Sequence, residues 1–90
     1  MKYHASIKVK LKPTVNDPQG KTIAQGLGRL GFESIESFRA GKFFEVWLDA
    51  ADDASAQDAV RGMCEKLLAN PVIELFEFEV EAVPAEVPAT

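Results

Sequence analysis

Apolar and polar residues alternate without a break near the start of the chain. Polar residues fill every second position, and the apolar ones are Tyr3, Ala5, Ile7, Val9 and Leu11. Successive side chains of a strand point to opposite faces, so this pattern predicts a half-buried β-strand that ends at Pro13. Residues 43–49 and 73–81 alternate in the same way and predict two more strands.

A helix is predicted after the first of these strands. Ile23, Leu27 and Leu30 recur at i, i+4 and i+7 and form one apolar stripe. Asp17 is suited to cap the start of this helix, because its carboxylate can accept from the free amides of the first turn. Pro18 suits the position after the cap, where a missing N–H costs nothing.

A second helix is predicted before the last strand. Asp52, Asp53 and Ser55 cluster at its start, where each can cap the helix or favour the positive end of its dipole. Asn70 and Pro71 stop it, because proline cannot continue the hydrogen-bond ladder. The residues expected to form its buried stripe are Ala56, Ala59, Val60, Met63 and Leu67.

A weaker alternation at residues 34–40 predicts one further strand, and residues 40–42 then read as a hairpin turn. The resulting order is βαββαβ, the split βαβ arrangement of ferredoxin-like folds. The expected fold class is therefore α+β, a single domain with an antiparallel sheet and two helices on one face. In that arrangement the first and last strands are neighbours.

The helix-free face of this sheet is expected to carry both charges and apolar side chains. Lysines of the first strand would meet glutamates of the last, and these residues are Lys8, Lys10, Glu77, Glu79 and Glu81. The apolar residues of the same face are Phe43, Trp47, Ile73 and Leu75. A lone monomer would leave that patch in water, so we expect another chain to cover it.

Composition and charge narrow the class of protein. The chain has 90 residues and is expected to form one domain over residues 1–82, followed by a flexible tail at 83–90. A domain this short buries only about 60–65% of its unfolded surface, so oligomerisation would help its stability. The net charge of −4 disfavours a nucleic-acid-binding surface, which needs clustered lysine and arginine. The single cysteine and the lack of a long apolar run predict a cytoplasmic protein without a membrane segment.

The candidate catalytic and cofactor-binding groups are better explained by structural roles. Gly26, Gly28 and Gly31 complete a G-x-G-x-x-G pattern, but it lies at the C-terminal end of the predicted helix, where carbonyls would repel a phosphate. Gly31 suits the positive φ that follows a helix C-cap. His4 and Cys64 are the only residues of their kinds, and the sheet would separate them. We therefore expect no catalytic residue, no cofactor and no metal site.

Three short stretches stand in order along the chain. They are residues 15–20 (Val-Asn-Asp-Pro-Gln-Gly), residues 39–42 (Arg-Ala-Gly-Lys) and residues 67–74 (Leu-Leu-Ala-Asn-Pro-Val-Ile-Glu). With this length and topology they resemble the PurS family, the small subunit of phosphoribosylformylglycinamidine synthase in purine biosynthesis. The resemblance spans residues 2–80. It implies a subunit without an active site that forms dimers or tetramers, bridges a glutaminase subunit and a large ATP-dependent synthetase subunit, and supports ammonia transfer between them.

The resemblance also indicates which residues contact other chains. Helix capping, turn formation and helix termination explain several residues of the three stretches, but these structural roles do not explain every polar side chain there. The predicted contact residues are Gln19, Arg39, Lys42 and Glu74 from these stretches, with Phe43 and Trp47 from the helix-free face. The alternative function is a metabolite-binding regulatory module of ferredoxin-like, ACT-like topology, and an enzyme ranks third.

Overall fold

The computed structural model describes residues 1–84 and shows a three-stranded antiparallel sheet with two helices. The strands are β1 (Lys2–Leu11), β2 (Gly41–Asp49) and β3 (Glu74–Ala82); the helices are α1 (Pro18–Arg29) and α2 (Asp53–Met63), which continues as a π-helix over Cys64–Leu68. β1 lies in the middle, between β2 and β3. The predicted α+β class, with an antiparallel sheet and two helices, is confirmed.

The pairing of the strands follows the alternation of the sequence. Ile7 of β1 lies opposite Phe44 of β2 and Phe78 of β3, so these three side chains share one face. On the other face Lys8 lies opposite Glu77, as predicted. The prediction that the first and last strands are neighbours is also confirmed.

The core lies between the sheet and α2. Its largest fully buried side chains come from the centre of β1 and from α2, and they are Ile7, Val9, Val60 and Cys64. Asp52 caps α2, since its Oδ1 accepts a hydrogen bond from the Ser55 amide at 2.8 Å. The predicted start of the second helix is therefore confirmed.

The second helix covers only part of the sheet. It packs over β1 and β3. The inward side chains of β2 are only partly buried, and they are Phe44, Val46 and Leu48. A strip of apolar surface therefore remains above β2.

The buried stripe of the second helix differs from the prediction. Val60 is buried as expected, but Ala59 is exposed and Leu67 is 84% exposed, while Cys64 takes a buried position. The π-helix is the reason: the Ala69 amide donates to the Cys64 carbonyl, five residues earlier, at 2.9 Å. Cys64 follows Val60 by four residues in the regular helix and so stays on the buried side. The wider turn after it makes Ala69 the next buried position and leaves Leu67 in solvent.

The predicted fourth strand is wrong. Residues 34–40 form no strand, so the expected order βαββαβ becomes βαβαβ, and residues 40–42 are not a hairpin turn. Ile35 and Phe38 are an odd number of positions apart, so a strand could not place both on one face. The Ala40 amide, which a hairpin would pair with a neighbouring strand, instead donates to Asp17 Oδ2 at 2.7 Å.

The first helix begins and ends as predicted. The Gly20 amide donates to Asp17 Oδ1 at 2.9 Å, and Pro18 occupies the first helical position. Gly31 has a φ of 102°, the left-handed region that favours glycine after a helix. The G-x-G-x-x-G pattern therefore lies at the C-terminal end of α1, where no amides are free to bind a phosphate.

Helix α1 stands apart from the core. Gly20 is its one buried residue, and the apolar stripe is exposed, Ile23 by 38% and Leu30 by 75%. The radius of gyration is 16.9 Å, whereas a compact domain of this length would have about 12 Å. We call residues 18–40, which contain α1 and the segment before β2, the arm.

The last described residues continue beside β1. The Val83 amide donates to the Lys2 carbonyl at 3.0 Å. Most of the predicted tail, residues 85–90, lies outside the described residues, so the division of the chain at residue 83 stays a prediction. None of the described helices is long and apolar enough to cross a membrane.

Candidate functional site

Asp17 joins the start of α1 to the start of β2. Its two carboxylate oxygens accept from the amides of Gly20 and Ala40, at 2.9 and 2.7 Å. These two hydrogen bonds, from Ala40 and then Gly20, with the nearby Arg39 charge, lower the pKa of Asp17 from its ordinary value. The carboxylate is buried and fully used by the backbone, so this corner is a rigid support rather than an anion site.

Arg39 has a structural role that the sequence did not predict. Its Nη2 donates to the carbonyls of Lys12 and Val15, both at 3.0 Å. The side chain thereby fastens the end of the arm to the loop that precedes α1. Its predicted role as a contact residue stays a prediction, and the structure adds that removing Arg39 would also loosen this loop.

Three of the predicted contact residues line one cavity, which we call the corner cleft and define by Gln19, Lys42 and Glu74. The cavity has a volume of about 250 Å³ and lies where the end of β1 meets the starts of α1, β2 and β3. Lys42 Nζ lies 3.6 Å from Glu74 Oε2. Glu74 is the more enclosed partner, and its Oε1 accepts from the Asn70 amide at 2.7 Å. The cleft therefore presents one oriented ion pair beside the exposed amide of Gln19.

The other two predicted contact residues lie on the helix-free side of the sheet. We call this surface the open face and define it by Phe43, Trp47, Ile73 and Leu75, all of which are exposed. The most exposed of the four is Phe43, at 58%, beside a shallow cavity of about 310 Å³. Gln19 and the corner cleft do not join Phe43 and Trp47 in one site, so the six predicted contact residues belong to separate surfaces.

A small polar group on the open face was missed by the sequence analysis. His4 Nε2 lies 2.9 Å from Glu45 Oε2, and the His4 and Trp47 rings pack with centroids 4.9 Å apart. The sequence contained a signal for this group, because the alternation along the two strands places His4, Glu45 and Trp47 on the helix-free face. The exposed apolar residues of the arm, Leu30 and Phe32, were also missed, because local periodicity does not show whether a helix reaches its own sheet.

The chemistry available in the described residues is limited. Cys64 is buried on the side of α2, and burial raises the pKa of its thiol, which lowers its reactivity. His4 lies on the opposite face of the sheet, so Cys64 and His4 do not form a nucleophile and base. This separation by the sheet is the one that the sequence predicted. Within residues 1–84 no group of three or more His, Cys, Asp or Glu is placed to hold a metal ion.

These features define a class of protein: a small α+β subunit that offers surfaces to other chains. The family model described as PurS, phosphoribosylformylglycinamidine (FGAM) synthase, matches residues 4–82. The chain therefore belongs to the PurS family, the PurS subunits of phosphoribosylformylglycinamidine synthase. The resemblance that the three short stretches carry is confirmed.

Individual proteins agree with the family model. The chain is 42% identical to the PurS subunit from Synechocystis sp., over 94% of this chain and 85% of that protein. It is 38% identical to the PurS subunit from Bacillus subtilis, over 93% of this chain and 99% of that protein.

Solved structures show the same fold. PurS from Methanocaldococcus jannaschii matches with a TM-score of 0.79 at 35% identity, over 91% of this chain and 99% of that chain. A chain in the structure of PurLQS from Thermotoga maritima matches with a TM-score of 0.82 at 30% identity, over 90% and 99% of the two chains. The chain therefore has the fold of solved PurS proteins.

Proposed function

We propose that this chain acts in the cytoplasm as a non-catalytic subunit that bridges the glutaminase and the ATP-dependent synthetase subunits of phosphoribosylformylglycinamidine synthase and supports ammonia transfer between them. The observation that carries the proposal is the likeness to a chain of PurLQS from Thermotoga maritima, at a TM-score of 0.82 over 90% of this chain. The family match favours this role over a metabolite-binding regulatory module.

The open face supports the proposal because it gives the chain a reason to associate. Phe43 and Leu75 place apolar area in solvent, while His4, Lys8 and Glu77 place charged or polar groups next to them. An apolar centre with a polar rim is the usual anatomy of a protein interface. A large subunit that covers this face would bury the apolar side chains and leave the charges at the edge.

The corner cleft supports the proposal because its side chains are held in place before a partner arrives. Glu74 is fixed by the Asn70 amide, and Lys42 is oriented by Glu74. Asp17 and Arg39 hold the surrounding backbone. A contact that needs little ordering on binding loses less conformational entropy, so a rigid corner is a suitable docking point.

The proposal is tested by assembling the complex from purified parts. The chain is mixed with the glutaminase and synthetase subunits encoded by the same organism, and the mixture is analysed by size-exclusion chromatography with light scattering. We expect one species that contains all three proteins, and separate glutaminase and synthetase peaks when this chain is left out. The proposal is wrong if the two large subunits form the same complex alone, or if this chain elutes by itself.

A further inference from the structure

The corner cleft is lined by lysines whose charged groups are accessible from solvent. Lys10 and Lys42 line the cavity beside the exposed Gln19. Lys10 is exposed near the end of β1, and within residues 1–84 no carboxylate forms an ion pair with it. The Lys42 side chain is 60% exposed, although Glu74 lies beside it. Both ammonium groups can therefore contact a group that enters the cleft.

The acidic groups of the same corner are already bonded within the chain. Glu74 Oε1 accepts from the Asn70 amide at 2.7 Å, and the Glu74 side chain is only 12% exposed. Asp17 is buried, and its two oxygens accept from the Gly20 and Ala40 amides. These amide dipoles offset part of each negative charge, so the corner presents mainly its lysines to solvent.

The size and the walls of the cleft suit one side chain of a partner protein. Its volume of about 250 Å³ is below the range of about 300–1,000 Å³ that small-molecule pockets occupy. Leu11, Pro18 and Ala40 give its walls apolar area, against which the methylene groups of an acidic side chain can pack. The carboxylate would then lie among the lysine ammonium groups and the Gln19 amide, all of which donate hydrogen bonds.

The rest of the surface directs an acidic partner toward this corner. The chain has a net charge of −4, and the opposite end of the sheet carries the exposed carboxylates of Asp49, Asp53 and Glu81. An acidic segment is repelled at that end and attracted at the corner cleft, which favours one orientation of approach. Association that is steered by charge is fast, and it slows as salt is added.

We propose that the corner cleft is the docking site for an acidic side chain, a glutamate or an aspartate, that projects from one of the two large subunits. The proposal rests on the bridging role and specifies the chemistry of one of its contacts. The partner carboxylate lies between Lys10 and Lys42, and its aliphatic stem packs on the apolar walls. This contact sets the rate and the orientation of docking.

The chemistry of the cleft is tested on the isolated chain. A tetraglutamate peptide is added to the isotope-labelled protein, and the backbone amide signals are followed by NMR. A tetraglycine peptide and inorganic phosphate are the comparison probes. We expect only tetraglutamate to shift signals around the cleft, those of Gln19, Gly41 and Lys42. Unchanged signals at the cleft, shifts centred elsewhere, or equal shifts with phosphate would overturn the proposal.

The role in docking is tested by charge reversal. Lys10→Glu and Lys42→Glu should each slow association with the paired large subunits about tenfold or more, measured by surface plasmon resonance at low ionic strength. Lys10→Arg keeps the charge and should associate at the parent rate. Added salt should slow the parent and have less effect on the two Glu variants. The matched control is Lys2→Glu, which makes the same change in net charge at the far end of the sheet and should slow association far less.

Circular dichroism of each variant shows whether the fold is kept. Lys10 has no ion pair to lose within residues 1–84, so Lys10→Glu decides the question if Lys42→Glu disturbs Glu74. Equal rates for the parent and Lys10→Glu, or equal slowing by Lys2→Glu, would overturn the proposal and leave the bridging role in place. Failure of the parent chain to bind the large subunits would instead contradict the bridging role itself.

Discussion

At the scale of single residues, the Asp17 carboxylate is the centre of the corner that joins β1, α1 and β2. One side chain satisfies two backbone amides, those of Gly20 and Ala40, which are far apart in sequence. An unmade bond at a buried polar group is costly, so both amides depend on this carboxylate. Its neighbours are therefore expected to tolerate little change.

Gly20→Ala should destabilise the fold. A Cβ at this position would overlap Asp17 Oδ2 and come within 3.0 Å of the Phe38 carbonyl. We expect the free energy of unfolding to fall by about 1–3 kcal/mol, the usual cost of overpacking. Urea unfolding followed by circular dichroism measures the change.

The matched control lies in the same helix. Gly28→Ala meets nothing within 4 Å, so it should leave stability unchanged or raise it by up to about 1 kcal/mol through helix propensity. Equal losses from both substitutions would contradict the role given to the Asp17 corner.

The pH dependence of stability should also show the contribution of the Asp17 carboxylate. Its pKa is lowered in the folded chain from the ordinary value of 3.8, so the unfolded chain binds the proton more readily. The stability that the carboxylate contributes is complete above about pH 5 and is lost as the pH falls through 3.8 and below. Asp17→Asn should therefore be less stable than the parent at pH 7, and the difference should shrink toward pH 3.

Asp52 provides the control for this measurement. Hydrogen bonds from the Ser55 amide and hydroxyl lower its pKa as well, so some acid sensitivity should remain in Asp17→Asn. Urea unfolding at several pH values between 7 and 3 compares the two variants, Asp17→Asn and Asp52→Asn. A difference between parent and Asp17→Asn that grows as the pH falls would contradict the account.

At the scale of the elements, α2 and its π-helix decide what is buried. Cys64 lies against the sheet four residues after Val60, at the point where the helix widens. We expect the native thiol to react slowly with iodoacetamide and to react quickly in denaturant, since burial also raises its pKa. Thr14→Cys on the Cys64→Ala background, at an exposed position, should react quickly in both conditions. Mass spectrometry of timed samples measures both rates, and fast labelling of native Cys64 would show that the helix register is wrong.

The elements also show how far the sequence determines the fold. Strand alternation and helix caps depend on neighbouring residues, so β1, both caps and Gly31 were predicted correctly. The prediction of a fourth strand was wrong because the Ala40 amide donates its hydrogen bond to a distant carboxylate, that of Asp17. The prediction that Leu67 belongs to the buried stripe of α2 was wrong because the π-helix changes the period. The α-helical period would place Leu67 on the buried side.

For the candidate site as well, the sequence predicted some features and could not predict others. The short stretches that resemble the family predicted Gln19, Lys42 and Glu74 as contact residues, and the fold brings these three together in the corner cleft. The backbone role of Arg39 could not be predicted, because the carbonyls that it binds, at Lys12 and Val15, become neighbours only after folding. Likewise, the exposure of the α1 stripe depends on where the whole helix lies.

At the scale of the whole molecule, the corner cleft and the far end of the sheet can be compared directly. Lys42 pairs with Glu74 at 3.6 Å in the cleft, and Lys2 pairs with Asp49 at 3.9 Å at the other end. Exposed ion pairs of this kind contribute about 0–1 kcal/mol, so neither Lys42→Ala nor Lys2→Ala should unfold the chain. We expect Lys42→Ala to weaken binding to the large subunits and Lys2→Ala to have no effect.

Isothermal calorimetry or a pull-down with the large subunits compares these two variants. Arg39→Ala should weaken binding as well, but with some loss of stability, because it also releases the carbonyls of Lys12 and Val15. Equal binding by the parent, Lys42→Ala and Lys2→Ala would remove the corner cleft from the proposed interface.

We propose that the chain couples two active sites and catalyses nothing itself. The most direct test is the synthase activity of the reconstituted complex, measured with glutamine and, separately, with ammonium chloride as the nitrogen source. We predict that leaving out this chain reduces the glutamine-dependent rate to background and leaves the ammonia-dependent rate of the synthetase subunit in place. Full glutamine-dependent activity without the chain, or equal loss of both activities, would contradict the account.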